Sequence, residues 1–369
     1  MIRYFDYRPE LDRFRGEILD AMRRVLDSGH LVLGPEVHAF EQECASRIGV
    51  SGAVGVASGT DALALALRAL DVGPGHEVLT VANAGVPTVA AIRSVGAVPR
   101  FVDVEPGSLL MDPAGLEAAL TPRSRCVIPV HLYGQPLDLE PILELASRTG
   151  LRVVEDCAQA FGASRRGRAA GSLSDVGCFS FYPTKPLGAY GDGGLCTTDD
   201  PEIEARLRAL RFYGFQADRH AHIEGLNSRL DEIQAAILRV KLRHVDDLRA
   251  ERGEIAGRYR EALRDTVFRL PQSVRETIDT HHLFVIRAPD RGRSIRALED
   301  AGIGYGIHYA EPVHLMEAYA FLGYRAGELP VTEQACAEVL SLPCYAGLAE
   351  DAVDSVVRTL RASADELAT

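Results

Sequence analysis

An alternation of short apolar runs with amphipathic segments limits most strongly what this chain can fold into. Segments with helical periodicity separate the apolar runs, which lie at residues 53–58, 77–82, 98–104, 125–132 and 151–157. Strands that alternate with helices indicate βαβ units and a mainly parallel sheet. Right-handed crossovers place helices on both faces of such a sheet, which suits strands that are apolar throughout. The sequence therefore predicts an α/β fold with a mainly parallel central sheet.

The pattern changes toward the end of the chain. One or two long helices are predicted over residues 227–265, because that segment contains no proline. Beyond residue 266 we expect a strand, a helix, and a proline-punctuated segment that ends in a helix. A chain of 369 residues is long enough for two domains. We therefore predict a large domain over residues 1–245, including helices before the first strand, and a smaller α+β domain over 246–369.

The composition argues against several other classes of protein. Apolar residues make up 47% and charged residues 25% of the chain, as in an ordinary globular protein. The net charge of −12 argues against nucleic-acid and anionic-membrane partners. The seven cysteines form no CxxC pair, which favours reduced thiols over disulfides, zinc or iron–sulfur sites. With no signal-peptide pattern at the N-terminus and no membrane-length apolar run, we expect a cytoplasmic protein without a metal site.

The segment VGVASGTDALALAL places Ser58, Gly59 and Thr60 between a strand and an amphipathic helix. Free N–H groups and the helix dipole make such a helix start suitable for phosphate, and glycine lets an anion approach closely. An ordinary N-terminal cap would have the same residues. The sequence contains neither GxGxxG after a strand nor GxxxxGK[ST], so the usual dinucleotide and P-loop signatures are missing.

Two further strand ends carry residues suited to chemistry. Asp156 ends the apolar run LRVVED, at the sheet edge where ligands bind in open α/β folds, and Gln159 follows three residues later. The Asp156 carboxylate could hold a protonated ring nitrogen, bind a metal or cap a helix. Lys185 follows the run VGCFSF, in the glycine-rich stretch FSFYPTKPLGAYGDGG, and Ser180 could add a hydroxyl to a phosphate site.

Together, an acid, a lysine and a phosphate-type helix start are the groups that a pyridoxal phosphate (PLP) enzyme needs. The acid keeps the ring nitrogen protonated, so that the ring can accept electrons. The lysine condenses with the cofactor aldehyde and, as a free amine, moves a proton as general acid and base.

The chain resembles the PLP-dependent sugar aminotransferases of the DegT/DnrJ/EryC1/StrS family from about residue 30 to its end. The stretches that carry the resemblance are VGVASGTDALALAL, RFVDVEP, VIPVHLYGQPLDL, VVEDCAQAFGA, GSLSDVGCFSFYPTKPLGAYGDGG, NSRLDEIQAAIL, GIGYGIHYAEPVH and LSLPCYAGL. The resemblance implies a fold-type I PLP-dependent transferase, a homodimer whose two active sites lie at the subunit interface.

By position, the resemblance implies a role for each site residue. Lys185 matches the lysine that binds PLP covalently, Asp156 the partner of the ring nitrogen, and Gln159 the residue beside the ring. The phosphate-binding positions are Ser58, Gly59, Thr60 and Ser180, with Asn227 supplied by the neighbouring subunit. Arg229 is a candidate for a carboxylate, or for an ordinary interface ion pair. His308 and Tyr309 fall where the family lines its sugar pocket, or serve packing alone, and His131 is expected to lie behind the site.

Lysine at position 185 implies transamination, since relatives that dehydrate the sugar have histidine there. The implied reaction moves an amino group from L-glutamate to a keto group of a nucleotide-linked sugar, in amino-sugar biosynthesis. The phrase FYPTKPLGAYGDGG is similar to members that act at C3, so C3 is favoured over C4. Two alternatives remain: amination of an inosose-type cyclitol, and a non-catalytic regulatory protein that binds PLP.

One segment departs from the family pattern, and a basic turn allows two interpretations. Relatives commonly have an aromatic residue shortly after the strand EVLTVA, whereas this chain has Asn83-Ala84-Gly85-Val86. The basic turn SRRGR, residues 164–168, could contact a diphosphate, but a solvated hairpin is favoured.

Overall fold

The computed structural model describes residues 1–272 and 274–368 and shows alternating strands and helices. The strands are β1 (Gly52–Val56), β2 (Glu77–Val81), β3 (Val98–Val102), β4 (Ser124–Val127), β5 (Arg152–Asp156), β6 (Ser164–Arg165), β7 (Arg168–Ala169), β8 (Val176–Ser180), β9 (Gly194–Thr198), β10 (Thr277–Ile278), β11 (Phe284–Arg287) and β12 (Val339–Leu342). The α-helices are α1 (Arg8–Ser28), α2 (Pro35–Ile48), α3 (Gly59–Ala69), α4 (Val86–Ser94), α5 (Pro113–Ala118), α6 (Glu140–Thr149), α7 (Pro201–Leu210), α8 (Glu232–Leu242), α9 (Val245–Leu263), α10 (Arg291–Asp300), α11 (Pro330–Glu338) and α12 (Glu350–Ala368).

The central sheet has seven strands in the order β1-β9-β8-β5-β4-β2-β3. The pairs β5–β8, β4–β5, β2–β4 and β2–β3 are parallel, whereas β9 runs antiparallel to β1 and β8. The predicted α/β fold with a mainly parallel sheet is therefore confirmed. The sequence analysis did not identify β9, whose segment GLCTT follows directly on the glycine-rich stretch.

Helices cover both faces of this sheet, because alternate residues of each buried strand point to opposite sides. Val154 belongs to the hydrophobic cluster formed with α3, α4 and α7, whereas its neighbour Val153 belongs to the cluster formed with α5 and α6. In the same way, Cys178 faces α3 and Phe179 faces α2 and α8. Continuous apolar strands are therefore buried on both sides.

The C-terminal part forms its own hydrophobic cluster around the antiparallel pair β11–β12, with residues of α9, α10 and α12. The long helical segment divides into two helices, α8 and α9, separated at Arg243–His244. The N-terminal residue Ile2 packs against the C-terminal cluster and pairs with Ile303. The division into domains at residue 245 stays a prediction.

A side chain of α8 caps the beginning of α2. Glu232, which is 1% exposed, accepts hydrogen bonds from the N–H groups of Gly34, Glu36 and Val37 at 2.8, 2.9 and 2.8 Å. A carboxylate is favourable there because the first N–H groups of a helix lack partners and carry partial positive charge. Residues almost 200 positions apart thus fix α2 against α8.

No helix in the described part of the chain is long and apolar enough to cross a bilayer.

Candidate active site

A cleft of about 360 Å³ opens at the carboxyl ends of the parallel strands. Strand β5 contributes Asp156, the turn after β8 contributes Lys185, and the start of α3 contributes the Ser58–Thr60 segment. These are the three groups that the sequence analysis expected to converge. Gln159, Ser180, His308 and Tyr309 line the same cleft.

Asp156 is buried, and its two carboxylate oxygens have different partners. Oδ2 accepts a hydrogen bond from the Thr88 hydroxyl at 2.7 Å, and Oδ1 accepts one from the N–H of Ala158 at 3.1 Å. Burial raises the pKa of Asp156, while these two hydrogen bonds and the charge of Lys185 oppose the rise. The two donors therefore support the ionised form in surroundings that disfavour it.

Lys185 is partly open to the cleft, and its surroundings are largely desolvated. Burial lowers the pKa of the Lys185 ammonium group from 10.5 to about 8, although the Asp156 carboxylate favours its charged form. The backbone N–H of Lys185 donates to the carbonyl of Tyr182 at 2.8 Å. A lysine with this pKa has about a tenth of its amine uncharged at pH 7, far more than an unperturbed lysine, and condensation with an aldehyde requires that form.

The start of α3 forms a tight cradle with the end of β8. The Ser58 hydroxyl caps α3 by accepting from the N–H of Asp61 at 3.1 Å. A Cβ atom on Gly59 would lie 2.5 Å from Cβ of Ser180, so only glycine fits there. The close approach leaves the helix N-terminus and the Ser180 side chain at one end of the cleft, an arrangement suited to a phosphate group.

Gln159 connects the cleft to a loop that follows β4. Its Oε1 accepts a hydrogen bond from the N–H of Tyr133 at 2.6 Å. Tyr133 has a left-handed backbone (φ 63°), and its hydroxyl donates to the carbonyl of His308 at 2.5 Å. Tyr133 thereby ties Gln159 to the segment that carries His308 and Tyr309.

The segment Asn83–Val86, which lacks the aromatic residue common in relatives, packs against Tyr309. Gly85 has φ +83°, and a Cβ atom there would lie 2.9 Å from Cζ of the Tyr309 ring. The glycine therefore makes room for an aromatic ring that comes from a distant part of the chain. The Nδ1 atom of His308 lies 2.8 Å from the Ser341 hydroxyl, which fixes the imidazole beside Tyr309.

Asn227 and Arg229 do not line this cleft in their own chain. Asn227 is exposed, and the Arg229 guanidinium lies 5.2 Å from the centre of the Phe212 ring. Between them, the Ser228 hydroxyl donates to Asp61 Oδ2 at 2.7 Å and accepts from the N–H of Ala57 at 3.2 Å. The segment is thus attached to the start of α3 with Asn227 exposed at the surface, and the roles of Asn227 and Arg229 stay predictions.

His131 lies behind the cleft, as expected. Its Nδ1 accepts from the N–H of Leu137 at 2.9 Å, so Nε2 carries the proton and donates to Glu155 at 2.9 Å.

The basic turn, residues 164–168, is a hairpin of β6 and β7, as favoured from sequence. Arg165 pairs with Asp138, and Arg166 pairs with Glu140 and Glu276.

The sequence analysis missed several side chains that line the cleft, namely Thr88, Tyr182, Thr184, Asp192 and His282. Tyr182 lies beyond the end of β8 at Ser180 and is 53% exposed. Thr88 lies on α4, far in sequence from Asp156, and no local pattern marks it. For His282 a signal existed in the strand segment HHLFVIR, where a histidine precedes a buried strand.

A desolvated lysine, an acid at a parallel strand end and a phosphate-type helix start define a PLP-dependent enzyme of fold type I. The chain matches the DegT/DnrJ/EryC1/StrS aminotransferase family over residues 12–361 and belongs to it. The family identified from sequence is therefore confirmed, and the protein is an aminotransferase.

Relatives and solved structures agree with this assignment. The chain is 46% identical over 363 residues to a dTDP-3-amino-3,4,6-trideoxy-alpha-D-glucose transaminase of Micromonospora megalomicea subsp. nigra, covering 97% of each chain. The crystal structure of S. venezuelae DesV is 42% identical and superposes with a TM-score of 0.96, covering 99% of this chain and 98% of that one. NtdA from Bacillus subtilis, solved with bound PMP, is 30% identical with a TM-score of 0.89, covering 95% and 82%.

The cofactor prediction is therefore also confirmed: this enzyme uses PLP and its amino form, PMP. The cleft fits the cofactor in three respects. The Gly59–Ser180 cradle suits the phosphate, the buried Asp156 carboxylate suits a protonated ring nitrogen, and the Lys185 amine suits the aldehyde.

The lowered pKa of Lys185 predicts how pH controls attachment of the cofactor. The rate at which enzyme freed of cofactor forms a C=N bond with added PLP should rise with pH around a midpoint of about 8, since only the uncharged amine reacts. Stopped-flow absorbance gives this rate. A small primary amine in solution, measured alongside, should show a midpoint near the usual lysine value. An enzyme midpoint above 10 would contradict the prediction.

The Thr88 hydroxyl supports ionised Asp156, so Thr88→Val should slow the reaction without changing the shape of the site. A hydrogen bond to a charged group contributes about 1.5–3 kcal/mol. We therefore expect the rate of the half-reaction with the amino donor to fall about tenfold or more in rapid-mixing experiments. Thr80→Val is a matched control, because the buried Thr80 hydroxyl donates to the carbonyl of Ile128. Equal rates for the two variants would refute a role for Thr88.

Proposed function

We propose that this enzyme transfers an amino group from L-glutamate to the C3 keto group of a nucleotide-linked sugar. The observation that carries the proposal is the convergence of Lys185, Asp156 and the Gly59–Ser180 cradle in one cleft. Transfer of an amino group to a nucleotide-linked sugar is the activity of the Micromonospora relative. L-glutamate as donor and C3 as the aminated carbon are the finer parts of the proposal.

Lys185 and Asp156 perform the chemical roles. When bound, PLP supplies an aldehyde that condenses with amines and a ring that accepts electrons. Lys185 would hold the cofactor through its amine and, as a free amine, would be the base for the proton of the donor α-carbon. Its pKa of about 8 suits both tasks near neutral pH. Asp156 keeps the proton on the ring nitrogen, and Thr88 and Ala158 hold the carboxylate in place.

The phosphate of the cofactor is assigned to the start of α3. The N–H groups of Gly59 and Thr60, together with the Ser58 and Ser180 hydroxyls, are the donors available there. Asn227 from a second copy of the chain completes this site in a homodimer. The support is the exposure of Asn227 and its attachment, through Ser228, to Asp61.

The substrates are assigned to the opposite wall of the cleft. His308 and Tyr309 contact the sugar there. The planar guanidinium of Arg229, which lies outside this cleft in its own chain, suits a donor carboxylate when a second copy of the chain supplies it. Burial lowers the pKa of His308 to about 4, so its imidazole is neutral at physiological pH. A neutral imidazole and a phenol are suited to sugar hydroxyls and offer no charge for a second carboxylate.

The C3 assignment is supported by the phrase FYPTKPLGAYGDGG and by the Micromonospora relative, which is a 3-amino sugar transaminase. A cyclitol aminotransferase would have the same cofactor residues, so the acceptor substrates in the experiment below include an inosose. The regulatory alternative is not favoured, because the family and the relative quoted above are transaminases.

A labelled-product experiment tests the activity. The enzyme is incubated with ¹⁵N-glutamate and, separately, a 3-keto sugar nucleotide, a 4-keto sugar nucleotide and an inosose. We expect the label only in the 3-amino product, located by mass spectrometry and NMR, and none with Lys185→Ala. Label at C4 would overturn the C3 assignment, and label in the cyclitol alone would overturn the nucleotide-sugar assignment. Transfer only from a different amino acid would overturn the assignment of glutamate.

Mixing two inactive variants tests the shared site. Lys185→Ala removes the amine, and Asn227→Asp places a negative charge against the phosphate of the neighbouring subunit. If both residues serve one site from different copies, a heterodimer contains one intact site, so random mixing should restore about a quarter of the normal activity. Each variant mixed with itself is the control. Heterodimers that form without regaining activity would contradict the shared-site proposal.

A further inference from the structure

The loop that follows Lys185 is held by side chains of two neighbouring helices. Arg252 of α9 donates from Nη1 to the carbonyl of Pro186 at 3.2 Å, and Lys241 of α8 donates from Nζ to the carbonyl of Gly188. Gln234 of α8 accepts from the N–H of Tyr190 at 3.0 Å and donates to the carbonyl of Tyr190 at 3.3 Å. We call Gln234, Lys241 and Arg252 the loop clamp.

The two cations of the loop clamp, Lys241 and Arg252, are buried, which is unfavourable in free energy unless ion pairs or hydrogen bonds compensate. Lys241 is 2% exposed and Arg252 is 3% exposed. Lys241 forms an ion pair with Glu10 of α1, Nζ to Oε1 at 2.5 Å. Arg252 leaves its Nε without a hydrogen-bond partner among the described residues. Each of the two cations donates to a backbone carbonyl just beyond Lys185, Arg252 to that of Pro186 and Lys241 to that of Gly188.

The loop itself has few means of fixing the Lys185 side chain. It is rich in glycine, and a Cβ atom at Gly188 would lie 2.5 Å from the carbonyl oxygen of Pro183, so the turn needs glycine there. Glycine leaves the backbone many conformations in the absence of other contacts. Two backbone hydrogen bonds, from Lys185 to Tyr182 and from Ala189 to Phe181, begin to restrict the loop. Lys241 and Arg252 then fix carbonyls between Lys185 and Ala189, and Gln234 fixes the backbone of Tyr190 just after them.

We propose that the loop clamp positions the Lys185 amine for its reaction with PLP, an inference that rests on the role proposed for Lys185. In that reaction the amine nitrogen forms a double bond to the aldehyde carbon, and the aldehyde oxygen leaves as water with the two amine protons. The loop clamp touches neither cofactor nor substrate, so its members are positioning residues. PMP carries an amine in place of the aldehyde and forms no bond with Lys185.

Loss of positioning should weaken the binding of PLP alone, whereas general damage to the fold should weaken the binding of PLP and PMP alike. Comparing the two affinities therefore distinguishes these two effects. Dissociation constants for both are measured with enzyme freed of cofactor, for Gln234→Ala and for the double variant Glu10→Gln with Lys241→Met, which avoids leaving a buried carboxylate unpaired. We expect the affinity for PLP to fall at least about tenfold, as expected for misplacement of a reacting group. The affinity for PMP should change less than about twofold, and Lys241→Arg should restore part of the PLP affinity.

Arg239→Met is the matched control, because Arg239 lies on α8 but pairs with Glu36 and Glu43 of α2 instead of the loop. Its PLP and PMP affinities should keep their normal ratio. Equal weakening of PLP and PMP in the clamp variants would overturn the proposal, and so would unchanged affinity for both. Gln234→Ala keeps the test valid if the buried double variant fails to fold. Lys185→Ala is the reference: if it still yields a pyridoxyl adduct after borohydride, the proposed role of Lys185 fails independently of the loop clamp.

Discussion

At the carboxyl edge of the parallel strands, a lysine amine and a carboxylate share a cleft from which much of the water is removed. Burial raises the pKa of Asp156 and lowers the pKa of Lys185, whereas each group favours the charged form of the other. Thr88 and Ala158 donate hydrogen bonds that favour the ionised form of the acid. The carboxylate is therefore supported as an anion, and the lysine loses its proton far more easily than a solvated lysine does.

The two ends of the cleft are built from different parts of the chain. Strand ends and the start of α3, all before residue 200, form the end assigned to the cofactor. The wall assigned to the acceptor comes from His308 and Tyr309. The Tyr133 hydroxyl donates to the carbonyl of His308, and the Tyr309 ring packs against Gly85. Substitutions in the segment around residue 308 should therefore act first on the proposed acceptor wall, and they reach the cofactor end only through Tyr133 and Gln159. This separation suits a family whose members share one cofactor and differ in substrate.

Local patterns in the sequence were sufficient for the features that depend on short segments. The βαβ alternation gave the α/β fold, and the strand ends at Asp156 and Lys185 pointed to the cleft. Thr88 and the loop clamp could not be predicted, because each contributes through contacts with residues far away in sequence. Strand β9 was missed because its short segment, GLCTT, begins inside the glycine-rich stretch and contains few apolar residues. Asn227 was inferred from the family resemblance alone, because no local pattern marks a residue that is proposed to act in a second copy of the chain.

The position of β1 at the edge of the sheet has a consequence during synthesis of the protein. Strand β1 pairs within the sheet only with β9, from Gly52–Thr198 to Val56–Gly194, so its hydrogen-bonding partner leaves the ribosome long after it does. Helix α2 must likewise await Glu232 for its cap. Until then an apolar strand edge stays unpaired, which is the kind of surface that chaperones shield and that aggregates recruit. Nascent chains of this enzyme should therefore depend on such shielding until translation has passed α8.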